Sequence, residues 1–205
     1  MSLTVSETGK KEFPILEEGS YVAICNMLVD LGMQFNETYG NSSRKVLIGW
    51  ELPEELIEIN GEKVPRTINQ RYTASLNEKS VLRRDLAAWR GRDFTPAELA
   101  EFNLRNIVGA PCLLQIIHRE YNGKKYANVV SVMSLPKGMP KPQLSEPPVI
   151  YDIDEDDPAK VNDLAPWIKE IIVKSDSYQQ RINQGDGVAA PEFTEIEDDE
   201  VELPF

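Results

Sequence analysis

Two Asn-Gly dipeptides, at residues 60–61 and 122–123, limit the folds that this chain of 205 residues can adopt. Each lies next to segments in which apolar and polar residues alternate, and Asn-Gly is the dipeptide that tight two-residue β-turns prefer. The sequence therefore predicts two antiparallel hairpins. The first leads into a strand over residues 66–76, and the second joins strands over residues 111–120 and 124–135.

Two earlier strands are predicted over residues 20–30 and 44–51, separated by a polar loop over residues 32–43. Because successive side chains of a strand point to opposite faces, the alternation assigns each residue to the core or to the outside. In the second and third strands, Trp50 and Tyr72 fall on the inward faces. Lys45 and Arg71 fall on the outward faces.

Between the third and fourth strands the apolar residues change to a helical period. The predicted helix starts at an Asn77 cap and ends before Gly91, with a buried stripe of Leu82, Leu86 and Trp89. The segment Thr95-Pro96-Ala97-Glu98 has the form of a capping box with proline in the first turn, which predicts a short second helix through Phe102.

The resulting order, β-β-β-α-β-β, is that of the five-stranded OB-fold barrel, and we predict a mainly β fold of this kind over residues 1–135. Beyond it, residues 136–162 are rich in proline and acid and are predicted to form a linker. An amphipathic helix is predicted over 163–174, which either packs on the body or binds a partner. Residues 175–205 are predicted to be a disordered acidic tail.

The charge of the chain is divided between these parts. Residues 1–145 carry 18 Lys and Arg against 17 Asp and Glu, whereas residues 146–205 carry 4 against 17, which accounts for the net charge of −12. Residues 63–145 alone carry 14 basic and 6 acidic residues. A mildly basic body with an acidic tail is compatible with binding to nucleic acid, although the net charge alone would argue against it.

The last nine residues read Glu-Asp-Asp-Glu-Val-Glu-Leu-Pro-Phe. This ending resembles the acidic tip of bacterial and phage single-stranded DNA-binding proteins, with Val201 and Glu202 inserted between the aspartates and the apolar end. The segment from residue 89 to residue 138 is also similar to phage-encoded replication proteins of this kind. The resemblance implies that the tip recruits replication, recombination or repair proteins. The residues expected to do so are Asp198, Asp199, Leu203, Pro204 and Phe205.

A protein that coats single strands without reading their sequence needs cations for the phosphates and exposed rings for the bases. In OB-folds these lie on strands 2 and 3 and in the loops between strands 1 and 2 and between strands 4 and 5. The residues of this chain expected there are Phe35, Tyr39, Arg44, Lys45, Arg71, Tyr121, Lys124 and Lys125.

The aromatic residues among these also have a structural interpretation. Phe35 and Tyr39 are alternatively loop anchors, and Tyr121 and Tyr126 a cross-strand pair that supports the turn. A cluster of arginines near the helix, at positions 83, 84, 90 and 92, either extends the phosphate path or forms a solvated helix face. The single histidine, His118, is expected to be structural.

Other classes of function find less support in the sequence. We expect no enzyme and no cofactor or metal, because there is no phosphate-binding glycine loop, no nucleophile with a recognisable base, and no histidine pair. The two cysteines lie in apolar runs and are expected to be buried free thiols. We expect a cytoplasmic protein without membrane association, which is a possible homo-oligomer. The alternative function is an OB-fold adaptor that binds protein and has no affinity for DNA.

Overall fold

The structure, a computed structural model, describes residues 14–37, 40–59 and 61–184. It is mainly β, with one sheet and a few short helices. The strands are β1 (Gly19–Asn36), β2 (Asn41–Ile59), β3 (Glu62–Thr73), β4 (Pro111–Tyr121), β5 (Lys124–Ser134) and β6 (Val149–Tyr151). The α-helices are α1 (Val81–Arg90), α2 (Pro96–Ala100), α3 (Pro166–Val173) and α4 (Asp176–Asn183).

Both predicted hairpins are confirmed. β2 and β3 pair from Lys45 opposite Thr73 to Ile59 opposite Glu62, and β4 and β5 pair out to Tyr121 opposite Lys124. At the second turn both central residues have positive φ, 48° at Asn122 and 75° at Gly123. This is the backbone of a type I′ turn, which matches the right-handed twist of the two strands.

The sheet has the order β3-β2-β1-β4-β5, with antiparallel neighbours throughout, and β6 lies parallel to β1. Pro111, the first residue of β4, opposes Ile24 of β1, and from Met27 onward β6 takes the same edge of β1. In the part of the chain that the structure covers, β3 and β5 are edge strands that do not pair with each other. The sheet is therefore open, and the closed barrel expected from the sequence is not confirmed.

The first hydrophobic core lies between α1 and one face of the sheet. The predicted stripe of α1 is confirmed, because Leu82, Leu86 and Trp89 are all buried. The predicted inward residues Trp50 and Tyr72 are also buried in this core. The helix begins later than expected: Ser80, not Asn77, is its cap, since the side chain of Asn77 accepts from the N–H of Lys79 in a local turn.

The capping box at α2 is confirmed by both of its hydrogen bonds. The N–H of Glu98 donates to Thr95 Oγ1 at 3.3 Å, and the N–H of Thr95 donates to Glu98 Oε2 at 2.9 Å. The helix ends at Ala100, so it does not reach Phe102 as predicted. The two cysteines are free and buried in the core, as expected.

A second hydrophobic core lies on the opposite face of β1 and β2. There Val29, Leu31 and Leu47 are covered by Ile168 and Ile172 of α3 and by neighbouring residues. The amphipathic helix therefore packs on the body, which the sequence left open. We call residues 149–184, which include β6, α3 and α4, the C-terminal layer.

Two parts of this layer differ from the sequence-based expectation. Residues 136–162 were expected to be a linker, but they contain β6 and the fully buried side chains of Ile153 and Val161. Residues 176–183, expected to be disordered, form α4, because Tyr178 is a buried anchor within a polar segment and Ser175 caps the helix. The end of the tail, residues 185–205, lies outside the described residues.

Candidate nucleic-acid interface

Lys45 and Arg71 are neighbours on the outer face of the β2–β3 hairpin. Lys45 opposes Thr73 and Leu47 opposes Arg71, so the two cations are diagonal partners across the ladder. Lys45 Nζ donates to Thr73 Oγ1 at 2.8 Å, which fixes the direction of the ammonium group. Leu47 lies under the C-terminal layer, so the pair sits at the margin of that layer.

The electrostatics of this pair favour an anion. Burial lowers the pKa of Lys45, and the positive charge of Arg71 lowers it further. Burial also lowers the pKa of Arg71. No carboxylate in the described part of the chain forms an ion pair with Lys45. A phosphate at this position would relieve the repulsion between the two cations.

Arg44, the neighbour of Lys45 in β2, has its side chain on the other face of the strand. Its guanidinium donates to both oxygens of Asp30, with the shortest contact at 2.5 Å, and to Asp154 at 2.6 Å. The hydrogen bond to Asp30 raises the pKa of Arg44. The sequence assigned Arg44 to the nucleic-acid site, but these acids already occupy its donors.

At the end of the β1–β2 hairpin, Phe35 is 63% exposed. It opposes Ser42, so its ring lies on the same side of the hairpin as Arg44 and not on the Lys45 side. An aromatic side chain this accessible has the surface that base stacking requires. Tyr39, its expected companion, lies outside the described residues.

The β4–β5 hairpin carries the other predicted residues. Tyr121 is 49% exposed and opposes Lys124, while Lys125 opposes Glu120 and is also exposed. Arg119 opposes Tyr126, which puts Arg119, Tyr121, Lys124 and Tyr126 on one face. Sequence reasoning missed Arg119, although its two-residue spacing from Tyr121 was a sufficient signal.

The predicted residues do not form a single cluster along β1. The β1–β2 turn follows Asn36, the last residue of β1. The β4–β5 turn lies beyond the other end of this strand, because Gly19, the first residue of β1, opposes Ile116 and β4 continues past that position to Tyr121. The Lys45–Arg71 pair and the β4–β5 hairpin are therefore two separate groups with respect to this strand.

The arginines around α1 are engaged in the structure of the body. The Arg90 guanidinium lies 4.5 Å from the ring centroid of Phe94 and 5.2 Å from that of Phe102. Arg90 and Arg92 both bind Glu98, and the hydrogen bond from Arg92 is the main cause of a strongly lowered Glu98 pKa. Arg84 pairs with the buried Asp85. Each of these contacts lies within the helical segment or between it and the residues that follow α1.

The single histidine contacts the backbone ahead of β1. His118 Nε2 lies 2.8 Å from the carbonyl oxygen of Leu16, a structural contact. No group of three or more His, Cys, Asp or Glu within residues 14–184, gaps excepted, is placed to hold a metal ion. None of the helices seen in this part is long and apolar enough to cross a membrane.

No protein-family model matches the chain, and no curated protein matches its sequence. The tip residues Asp198, Asp199, Leu203, Pro204 and Phe205 lie outside the described residues, so the structure provides no geometry for them.

Proposed function

We propose that this protein binds single-stranded DNA without reading its sequence, during DNA replication or recombination of the phage type. The Lys45–Arg71 pair is the observation that carries the proposal. Two partly buried cations lie side by side on a sheet surface, and Thr73 holds the ammonium group of Lys45 in place. Such a site attracts phosphate oxygens, and repeated phosphate contacts supply most of the affinity of a non-specific binder.

The aromatic residues supply the second requirement. Phe35 and Tyr121 are exposed at hairpin ends. Lys124 and Arg119 share the face of Tyr121, and Lys125 lies on the other face of the same hairpin. Rings on which bases stack, interleaved with cations, form the usual surface for a single strand. Duplex DNA keeps its bases stacked inside, so it gains nothing from these rings.

The body is proposed to be an OB-fold. The element order supports this, as does the position of α1, which packs on both edge strands, β5 and β3. OB-folds are partly open Greek-key barrels, so the absence of pairing between β3 and β5 is compatible with the proposal. The acidic tip, with Phe205 as its apolar anchor, is proposed to recruit replication, recombination or repair enzymes.

An adaptor that binds protein is the second candidate, and one observation favours it. The end of the β2–β3 hairpin exposes Leu56 and Ile59, at 55% and 39%, beside Glu54, Glu58 and Glu62. Exposed apolar residues on a projecting hairpin are typical of protein-binding surfaces.

Fluorescence anisotropy of a labelled oligothymidine separates the two candidates. Trp50 and Trp89 are poor reporters, because they are 0% and 7% exposed. We expect binding at low salt that weakens steeply as salt is added, and weaker binding to a duplex of the same length. Absence of binding at low salt would favour the adaptor.

The variant Lys45→Gln/Arg71→Gln tests the site itself. If both side chains contact phosphates, the slope of log affinity against log salt falls by about 1.4, since each contact to a single strand contributes about 0.7. The matched control is Lys63→Gln/Lys79→Gln, which removes the same charge from two exposed positions. Equal effects in the two variants would show that only net charge matters, and would refute this assignment.

A further inference from the structure

An acidic loop of the C-terminal layer, residues 152–157, lies against two arginines of the body. Arg105, in the 3-10 helix Leu104–Ile107, has its Nη2 3.0 Å from a carboxylate oxygen of Glu155 and 3.8 Å from one of Asp152. Arg44 Nη2 lies 2.6 Å from Asp154 Oδ2. Two adjacent carboxylates, those of Asp154 and Glu155, thus face arginines that are far apart in sequence.

The loop has a defined shape. The N–H of Asp152 donates to Asp156 Oδ2 at 2.8 Å, and the N–H of Asp154 donates to Asp152 Oδ1 at 3.0 Å. The buried side chain of Ile153 anchors the loop in the second core. Because these contacts use Asp152 and Asp156, the carboxylates of Asp154 and Glu155 remain on the outside.

The contacts of the outer carboxylates are exposed to solvent. The side chains of Asp154 and Glu155 are 61% and 70% exposed, and each arginine is 38% exposed. Ion pairs at this exposure contribute little to stability and are screened by salt. The contact of Arg44 with Asp30 is different, since Asp30 is 9% exposed and holds the guanidinium in place. A competing anion could therefore replace Asp154 without displacing Arg44.

We infer that Arg44 and Arg105 form a second anion-binding surface, which the carboxylates of Asp154 and Glu155 occupy in the free protein and from which the phosphates of a bound single strand displace them. Phosphate competes well for arginine because it presents several strong acceptor oxygens. Arg44 is next to Lys45 in β2, but its side chain lies on the other face of the strand, so this second surface is separate from the Lys45–Arg71 pair. The identity of the displacing ligand rests on the proposed function.

The variant Asp154→Asn/Glu155→Gln tests this inference in the whole chain. Both substitutions keep the size of the side chain and remove its charge, while Ile153 stays in place. Arg44 keeps Asp30 and Arg105 keeps the more distant carboxylates of Asp152 and Asp156, but the two outer carboxylates no longer compete with an anion. We expect oligothymidine to bind about fivefold more tightly at low salt. The matched control is Asp163→Asn/Glu170→Gln, which removes two exposed acids of the same layer that contact neither arginine.

A third substitution identifies the residue responsible. Adding Arg105→Gln to the double variant should remove most of the gain, because the gain requires the guanidinium that Glu155 contacts in the wild-type chain. The inference is overturned if the loop variant and the control bind equally, or if the gain persists without Arg105.

Inorganic tripolyphosphate, titrated calorimetrically, separates this inference from the proposed function. The loop variant should bind it more tightly than the wild-type chain, in a manner that depends on Arg105. If tripolyphosphate shows this pattern and oligothymidine does not bind, the anion surface stands and the proposed function fails. If neither ligand distinguishes the loop variant from its control, the anion surface itself is refuted.

Discussion

Gly32 of β1 lies directly beneath Ser175, the residue that caps α4. A Cβ atom at position 32 would lie 2.5 Å from Ser175 Oγ and 2.9 Å from a methyl carbon of Ile153, and the backbone has a φ of 73°. Next to it, the N–H of Met33 donates to Ser177 Oγ at 3.0 Å. The absence of a side chain at Gly32 therefore allows the C-terminal layer to approach the sheet.

Replacing Gly32 by Ala should separate the layer from the sheet or strain both. The positive φ alone costs about 1–2 kcal/mol for a residue with a Cβ atom, and the close approach to Ser175 adds to it. We expect the free energy of unfolding, measured with urea, to fall by about 3 kcal/mol. Gly40→Ala is the matched control, since Gly40 has a φ of 61° and a Cβ atom added there would meet no atom within 4 Å. Equal losses in both variants would contradict the packing argument.

The sequence predicted the elements whose signals are local. The hairpin at Asn122-Gly123 and the stripe of α1 depend on residues a few positions apart, and both were found. β6 has three residues and exists because the edge of β1 next to Met27 is free beyond β4, a condition that no local pattern records. The sequence predicts disorder for the polar segment around Tyr178 for the same reason, since the second core that buries it is formed by distant strands.

The candidate site shows the same division. Strand alternation placed Lys45 and Arg71 on the outer face, and their register makes them neighbours. The sequence predicts that Arg44 binds DNA. It does not reveal the competing ion pair, because the partner Asp154 is 110 residues away in the chain. Ion pairs over such distances depend on the tertiary fold, and side-chain chemistry alone does not indicate them.

The buried thiols should make the protein labile in alkali. Burial raises the pKa of Cys25 from 9.0 to about 12, and burial also raises the pKa of Cys112. The folded state thus favours the protonated thiols, so their contribution to stability is complete below pH 9 and is lost as the pH rises from 9 toward 12. Each thiol that titrates only in the unfolded chain lowers the stability by about 1.4 kcal/mol per pH unit.

Urea unfolding at about pH 7, 9 and 10 checks this prediction. Cys25→Ala should start from a lower stability, because it leaves a small cavity, but should lose less between about pH 9 and pH 10 than the wild-type chain does. The buried tyrosines, whose pKa values are also raised by burial, are the same in both proteins, so the difference between the two pH profiles reports Cys25. Parallel pH profiles for the two proteins would show that Cys25 is not responsible.

Tyr121 should contribute to DNA binding through its ring. Because it is 49% exposed at a hairpin end, Tyr121→Ala should change the stability little and weaken oligothymidine binding by about 1–3 kcal/mol, the amount found for loss of one stacked base. Tyr121→Phe keeps the ring and removes the hydroxyl, so it should bind like the wild-type chain. If Ala and Phe both bind normally, the β4–β5 hairpin does not stack on the strand.

The acidic end of the chain should act against the basic surfaces of the body. Residues 188–205 contain seven acidic and no basic residues, and a polyanion tethered near a phosphate site competes with DNA most strongly where salt screening is weak. Deleting these residues should tighten oligothymidine binding at low salt, with the difference disappearing as salt is raised. An affinity that the deletion leaves unaffected across the whole salt titration would rule out the competition.

The variant Phe205→Ala tests the proposed anchor separately. It removes the ring and leaves the charge of the tail, so it should abolish partner recruitment with unchanged DNA affinity. Normal recruitment by this variant would rule out the anchor.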